Sequence, residues 1–195
     1  GVPDADDTPG ALIALSKLGK DEAAQQAGLG WLLDLQNENG GWPTFCRGWG
    51  KLPFDRSAAD ITAHVLRALR ACGAEARDAY AIAAARRAMA YLESSQRADG
   101  SWLPVWFGDQ YAPGWANPVY GTARVLRALA ERAPDSPAAS KGLKWLLGAQ
   151  NPDGGWGGNK SVHSTVEESA LAVTGLTPWI SRPEVRAAVE RGVEY

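Results

Sequence analysis

Three aspartates lie within four positions near the start of the chain, in the stretch VPDADDTPG: Asp4, Asp6 and Asp7. Carboxylic acids held this close cannot all ionise, and burial raises the pKa of the one that keeps its proton. Such a cluster is suited to donating a proton in a site that excludes water. A surface role also fits, because acidic residues stabilise a helix N-terminus and Thr8-Pro9 reads as N-cap and first helical residue.

A histidine lies further along, in the stretch SAADITAHVLRAL. His64 stands on a predicted apolar helix, where a histidine is more often a core residue than a catalyst. Asp60 precedes it by four residues. A protonated imidazole can hydrogen-bond neighbouring carboxylates and leave another acid to deliver its proton. The residues alone leave both roles open for His64.

The composition narrows the classes of function. The chain has 195 residues and a formal net charge of −2, so it is long enough for a sizeable core and offers no charge basis for a nucleic-acid partner. No apolar run reaches the roughly 20 residues that a membrane-spanning helix needs. Cys46 and Cys72 show no metal-ligand spacing with either histidine, so we predict reduced thiols and no metal site.

Three stretches repeat one pattern: GLGWLLDLQNENGGW, AMAYLESSQRADGSW and GLKWLLGAQNPDGGW. In each, an aromatic residue is followed five positions later by Gln, and then by Gly-Gly-Trp or Gly-Ser-Trp. We interpret the Gln as a partner for carbonyls at a helix end and for backbone N–H groups of the next repeat. The Gly permits the turn and the Trp folds back onto the Gln. These tryptophans are therefore predicted to be structural.

Apolar residues recur at helical spacing between these turns, and no stretch alternates with period two over more than a few residues. Leu12, Ile13, Leu15 and Leu18 predict a first helix that Gly19 ends, and Asp21 is predicted to cap the next. Self-similarity at this period indicates stacked supersecondary units. We therefore predict an all-α chain of about eight helices in four antiparallel pairs.

The segments DADDT, SAADITAHVLRAL and DGSWLPVW, together with the Gln-Trp repeats, resemble the C-terminal half of the squalene–hopene cyclase family, the class II triterpene cyclases. The resemblance covers nearly the whole chain. It implies a partial α/α toroid of the (α/α)6-barrel type, with residues 1–195 forming a single incomplete barrel domain. It also implies a missing N-terminal domain of the same parent chain, so the chain alone is expected to be inactive.

The same resemblance assigns roles to individual residues. Asp6 is the proton donor, Asp4 and Asp7 complete the acid motif that Thr8 closes, and His64 pairs with that motif. Asp60 lies in the outer shell. The substrate cavity and its entrance are implied to involve five further residues, of which Phe107 is included for the π face it offers a cation: Trp106, Phe107, Tyr120, Phe45 and Cys46.

The reaction implied is protonation-initiated cyclisation of squalene or a similar linear polyprene to a hopene-like product, with no metal or organic cofactor. The protein is then cytoplasmic or peripheral on the cytoplasmic membrane face, with Trp102 to Gly108 as its apolar contact. A second interpretation is a class II diterpene cyclase, whose prenyl diphosphate would meet Arg47, Lys51 and Arg56. A third is a non-catalytic α/α repeat module that binds a partner or lipid.

Overall fold

A computed structural model describes residues 3–45 and 55–195. Within those residues the chain forms eight α-helices and no extended strand, which confirms the predicted all-α class. Two isolated β-bridges, Trp42 with Ala58 and Trp156 with Thr165, tie the first and third Gln-Trp repeats to the residues just before the following helix. The helices are α1 (Asp7–Leu18), α2 (Glu22–Leu35), α3 (Ala59–Ala71), α4 (Ala79–Ser95), α5 (Pro118–Arg132), α6 (Pro137–Leu147), α7 (Val166–Leu176) and α8 (Pro183–Glu194).

The ends of the first two helices follow the sequence prediction. Gly19 adopts a φ of 59° and its N–H bonds back to α1, which ends the helix. Asp21 accepts a hydrogen bond from the Ala24 N–H at 3.0 Å and caps α2. The predicted apolar face of α1 is narrower than expected. Leu12 is buried, but Leu18, in the last turn, is 68% exposed.

The chain divides after Ser94 into two compact units. In the N-terminal unit, α1 packs against α2 and α3 around the buried side chains of Leu12, Leu32 and Leu66. In the C-terminal unit, α5 packs against α6 and α7, and α7 packs against α8. Helices of successive repeats therefore lie side by side within each unit, as an α/α repeat requires.

Each Gln-Trp turn links the helix before it to the second helix after it. In the third repeat, Nε2 of Gln150 donates to the carbonyl of Gly154 at 2.7 Å and to that of Ala188 in α8 at 2.8 Å. Gln36 makes the same pair of bonds, to Gly40 and Ala84. The acceptor side differs from the prediction: Oε1 of Gln150 accepts from the guanidinium of Arg191, a side-chain donor.

The tryptophan of each turn is buried beneath it. Trp156 has no exposed surface, its indole N–H donates to the Leu146 carbonyl at 2.9 Å, and its backbone N–H donates to Ser169 Oγ. Trp42 repeats this arrangement with the Leu32 carbonyl and Thr62 Oγ1. The indole N–H and the backbone N–H of each residue are thus both satisfied inside the core, which agrees with the structural role predicted for these residues.

Replacing either of two helical glycines by alanine should change the stability of the fold, and the two changes should have opposite signs. A Cβ at Gly142 would lie 2.8 Å from the Trp102 ring, whereas one at Gly30 would meet nothing within 4 Å. We expect Gly142→Ala to destabilise by about 1–3 kcal/mol through overpacking. Gly30→Ala should stabilise by up to about 1 kcal/mol through helix propensity. Urea denaturation measures both, and equal effects of the two changes would contradict the packing argument.

Candidate active site

The acidic run forms the N-terminus of α1. Oδ1 of Asp4 accepts the backbone N–H of Asp6 at 3.1 Å and that of Asp7 at 2.7 Å. The helix begins at Asp7, with Asp6 as the N-cap residue. This corrects the prediction that Thr8 is the N-cap and Pro9 the first helical residue. The capping oxygen comes from Asp4, two residues upstream, and Pro9 is tolerated because first-turn N–H groups need no intrahelical acceptor.

The three carboxylates have different environments. Asp4 and Asp6 are half-buried, whereas Asp7 is exposed. Ala5 between them has no exposed surface, and its N–H donates to the Thr44 carbonyl at 3.2 Å, which fixes the segment against the first Gln-Trp turn. The Asp4 carboxylate accepts backbone N–H groups at the helix start. Asp6 is therefore the aspartate of the three that is half-buried and whose carboxyl does not cap the helix.

The imidazole of His64 lies against α1. A Cβ placed on Gly10 would be 3.6 Å from Cε1 and 3.8 Å from Nε2 of His64. Gly10 is four residues after Asp6, so it lies one helical turn further along the same side of α1. Because α1 packs directly against α3, the structure brings the acid run and His64 to the same helix–helix contact. Thr8, half-buried in the same turn, donates its N–H to the Asp4 carbonyl.

Asp60 is buried in the first turn of α3, with 1% of its surface exposed. Its charge reaches Tyr91 on α4. Burial of the phenol, and secondarily the Asp60 carboxylate, raises the pKa of Tyr91 to about 12. The Tyr91 hydroxyl donates to the Ser57 carbonyl at 2.7 Å, just before α3 begins. In the sequence, Tyr91 is recognisable only as the aromatic residue of the second repeat, because no local pattern indicates that Asp60 lies near it.

The raised pKa of Tyr91 predicts how stability varies with pH. The folded state holds the phenolic proton more tightly than the unfolded chain, whose tyrosine pKa is about 10. Its contribution is therefore complete below pH 10 and is lost as pH rises through about 12. We expect Tyr91→Phe to remove this part of the alkaline decline in denaturation midpoint, and Asp60→Asn to lower the pKa of Tyr91. Tyr80→Phe, which removes an exposed phenol, is the control, and an unchanged alkaline profile in Tyr91→Phe would contradict the assignment.

The aromatic residues predicted for the cavity lie in the C-terminal unit. Tyr120 is buried in the first turn of α5 and stacks on Phe107, with ring centroids 4.7 Å apart and planes 19° apart. The Arg124 guanidinium lies 5.6 Å from the Tyr120 ring centroid. Trp106 is 41% exposed. Two of the predicted aromatic residues therefore form a stacked pair, and the third presents an open ring.

Two polar residues missed by the sequence analysis position Tyr120. Asn117 caps α5 by accepting the Tyr120 N–H at 3.0 Å, and its amide donates to Glu168 Oε1 at 3.1 Å. Asn117 and Glu168 are both buried. The Asn-Pro dipeptide that begins NPVYGT is a recognisable helix start and could have identified the cap. Its partner Glu168 is 51 residues away and leaves no local signal.

The entrance residues are described only in part. Phe45 is 37% exposed. Cys46, Arg47 and Lys51 lie outside the described residues, so the predicted entrance cysteine and two of the three predicted basic residues have no structural description. Arg56, the third, is exposed.

The helices and the acid site define a class: an α/α-repeat protein with Gln-Trp turns, an acidic helix N-terminus and a histidine facing it. A family model, the squalene-hopene cyclase C-terminal domain, matches residues 1–195. The chain belongs to the squalene–hopene cyclase family.

Individual relatives extend over the same residues. The squalene–hopene cyclase of Bradyrhizobium diazoefficiens is 30% identical over 99% of this chain and 32% of its own length. The drimenyl diphosphate synthase of Streptomyces showdoensis is 30% identical over 89% of this chain and 30% of its own. The solved structure of ent-copalyl diphosphate synthase from Streptomyces platensis has a TM-score of 0.75 at 27% identity, over 98% of this chain and 34% of that one.

The chain thus spans about a third of the length of each of these relatives. The structural match confirms the predicted α/α toroid fold class. Among the helices that the structure describes, none has the length and apolarity needed to cross a membrane.

Proposed function

We propose that the protein to which this chain belongs is a class II terpene cyclase that protonates squalene or a similar linear polyprene and closes it into a polycyclic, hopene-like terpene. The observation that carries the proposal is the contact of the His64 imidazole on α3 with Gly10 of α1, one helical turn after Asp6. Family membership supports the reaction class, and this contact supports the choice of residues.

Asp6 is the proposed proton donor. Protonating an isolated double bond creates a tertiary carbocation, so the acid must hold its proton until substrate displaces water from the site. Asp4 accepts two backbone N–H groups and is committed to the helix start, and Asp7 is exposed. His64, as an imidazolium, would hydrogen-bond a carboxylate of the run and hold the Asp6 carboxyl in its protonated orientation. Asp60 is the proposed outer-shell carboxylate.

The later cations need aromatic faces and no nearby nucleophile. Trp106 presents an open ring, and Tyr120 is held by its cap and by stacking on Phe107. We place these three side chains along the substrate cavity, with Phe45 and Cys46 near its entrance. The chemistry asks for no metal or organic cofactor, because a carboxylic acid starts the reaction and π faces guide it.

A class II diterpene cyclase is the second candidate, acting on a prenyl diphosphate. It is favoured by Arg124, a half-buried cation beside the Tyr120 ring. The proteins similar to this chain also include two that are named as a drimenyl diphosphate synthase and an ent-copalyl diphosphate synthase. Both candidates use the same proton donor and differ in the head group that the site must accept.

We also propose that the protein contacts one face of the cytoplasmic membrane, since an apolar polyprene partitions into lipid. Exposed side chains of Leu103, Val105 and Trp106 support this contact. They lie in the apolar stretch from Trp102 to Gly108.

The two substrates can be compared directly in the whole protein. We expect squalene to give a cyclised product, detected by gas chromatography with mass spectrometry, and geranylgeranyl diphosphate to give none. A bicyclic product that keeps its diphosphate would establish the second candidate instead. Failure of both substrates, in a preparation that binds squalene-containing micelles, would contradict the proposal.

A further inference from the structure

A groove on the C-terminal unit combines aromatic rings with carboxylates. It is an open groove of about 570 Å³ beside the loop that connects Gly108 to α5. Its lining includes three aromatic side chains, Trp106, Tyr111 and Trp115, and three acids, Asp109, Glu167 and Glu168. None of the described residues that line it is basic.

Asp109 makes the loop rigid. Its Oδ1 accepts the Tyr111 N–H at 2.8 Å, and its backbone N–H donates to the Trp115 carbonyl at 3.2 Å. Its Oδ2 accepts the Gly158 N–H at 2.9 Å, which joins the loop to the turn before α7. A Cβ at Gly158 would lie 2.4 Å from Asp109, so a glycine is required there. The loop is therefore ordered before any ligand arrives.

Trp115 is exposed and has a strained backbone conformation. It is 73% exposed, and its φ of 57° lies in the left-handed region that bulky residues avoid. Tyr111 is 58% exposed and is braced at its edge by the His163 ring, with centroids 4.3 Å apart. Two large aromatic side chains that an ordered loop leaves exposed form a candidate binding surface.

The acids give the groove its charge preference. Glu168 is 7% exposed and held by Asn117 Nδ2 and by Thr165 Oγ1, so its carboxylate has a fixed position. Glu167 beside it is exposed. Ring faces carry a negative quadrupole, and three carboxylates add negative charge without a basic side chain lining the groove. A cation that is large, weakly hydrated and apolar at its surface satisfies both features.

We propose that this groove binds a quaternary ammonium group, with Trp115, Tyr111 and Trp106 packed on its methyl groups and Glu167 and Glu168 opposing its charge. Tyr111, Trp115 and Glu167 have no part in the proposed protonation, so choline binding can be measured separately from cyclisation. Trp106 is shared with the proposed substrate cavity, so a bound cation would lie close to that cavity.

Choline and 3,3-dimethylbutan-1-ol form a matched pair of probes, since they share shape and hydroxyl and differ in charge. Titration calorimetry of the whole protein should give saturable choline binding about tenfold tighter than binding of the neutral alcohol. Equal affinities, or no choline binding, would overturn the proposal. So would preferential binding of a neutral sugar such as maltose. These comparisons use the unaltered protein and do not depend on a variant that folds.

Variants locate the site. Trp115→Ala should abolish detectable choline binding, and Glu167→Gln should weaken it several-fold. Glu190→Gln, an exposed glutamate on α8, is the matched control and should bind choline normally. Loss of binding in Glu190→Gln as great as in Glu167→Gln would refute the assignment.

Vesicles distinguish a free ligand from a lipid headgroup. Binding of free choline but of no vesicle identifies a soluble ligand, whereas added binding to phosphatidylcholine over phosphatidylglycerol vesicles identifies a headgroup. Both results support the quaternary ammonium site. Equal binding to the two vesicle types without choline binding would attribute the exposed rings to general lipid contact and end the proposal.

Discussion

Asp6→Asn is expected to reduce product formation by about 10³-fold or more, the upper part of the range for loss of a general acid. Asparagine matches the shape of aspartic acid and cannot release a proton to an alkene. The helix start should persist, because Asp4 supplies the capping oxygen and Asp6 contributes only its backbone N–H to that bond. The measurement is turnover of squalene by mass spectrometry, with circular dichroism to show an unchanged helix content.

Asp21→Asn is the matched control. Asp21 also lies at a helix N-terminus, where its side chain accepts the Ala24 N–H, and asparagine caps about as well as aspartate. Activity should therefore be retained. If Asp6→Asn kept the activity of the unaltered protein, the catalytic interpretation would fail and a non-catalytic α/α repeat module would take its place. Because both candidate cyclases need the same donor, the loss should appear with either substrate.

The repeat architecture could be predicted because its signals are local. The first Gln-Trp turn is formed by residues close together in the chain. Gln36 donates to the Gly40 carbonyl and Trp42 donates to the Leu32 carbonyl, so both bonds stay within one repeat. The same letters recur twice more, so the helix pairs followed from the sequence. Their acceptors in the next helix, such as Ala84, could not be named, since tertiary packing alone brings them near.

The residues proposed for the site come from the resemblance, and local sequence rules described their surroundings less well. The predicted helix start was two residues too late because Asp4 caps from upstream, an Asx-type contact that competes with the Thr8-Pro9 signal. The coupling of Asp60 to Tyr91 and of Asn117 to Glu168 joins helices far apart in sequence. The loop that displays Trp115 has no periodicity, and its order depends on one buried carboxylate, Asp109.

A large stability loss is expected for Trp156→Ala in the C-terminal unit. The side chain has no exposed surface, and its ring packs so closely that a Cβ at Gly192 of α8 would lie 2.6 Å from it. Truncation leaves a cavity and removes the donor to the Leu146 carbonyl. The cost should be about 3–5 kcal/mol. Trp156→Phe keeps most of the ring and loses the N–H, so it should cost less.

Hydrogen exchange resolved by mass spectrometry measures this loss where it occurs, in the amides of α6 and α8, and does not require two-state unfolding of the whole protein. Trp115→Ala is the control, since it removes the same atoms from a side chain that is 73% exposed. That change should alter exchange by less than about 0.5 kcal/mol. Similar exchange in the two variants would mean that Trp156 does not join α6 to α8. A large difference would show that the buried Trp156 ring joins the third Gln-Trp turn to α8, the helix packed against it.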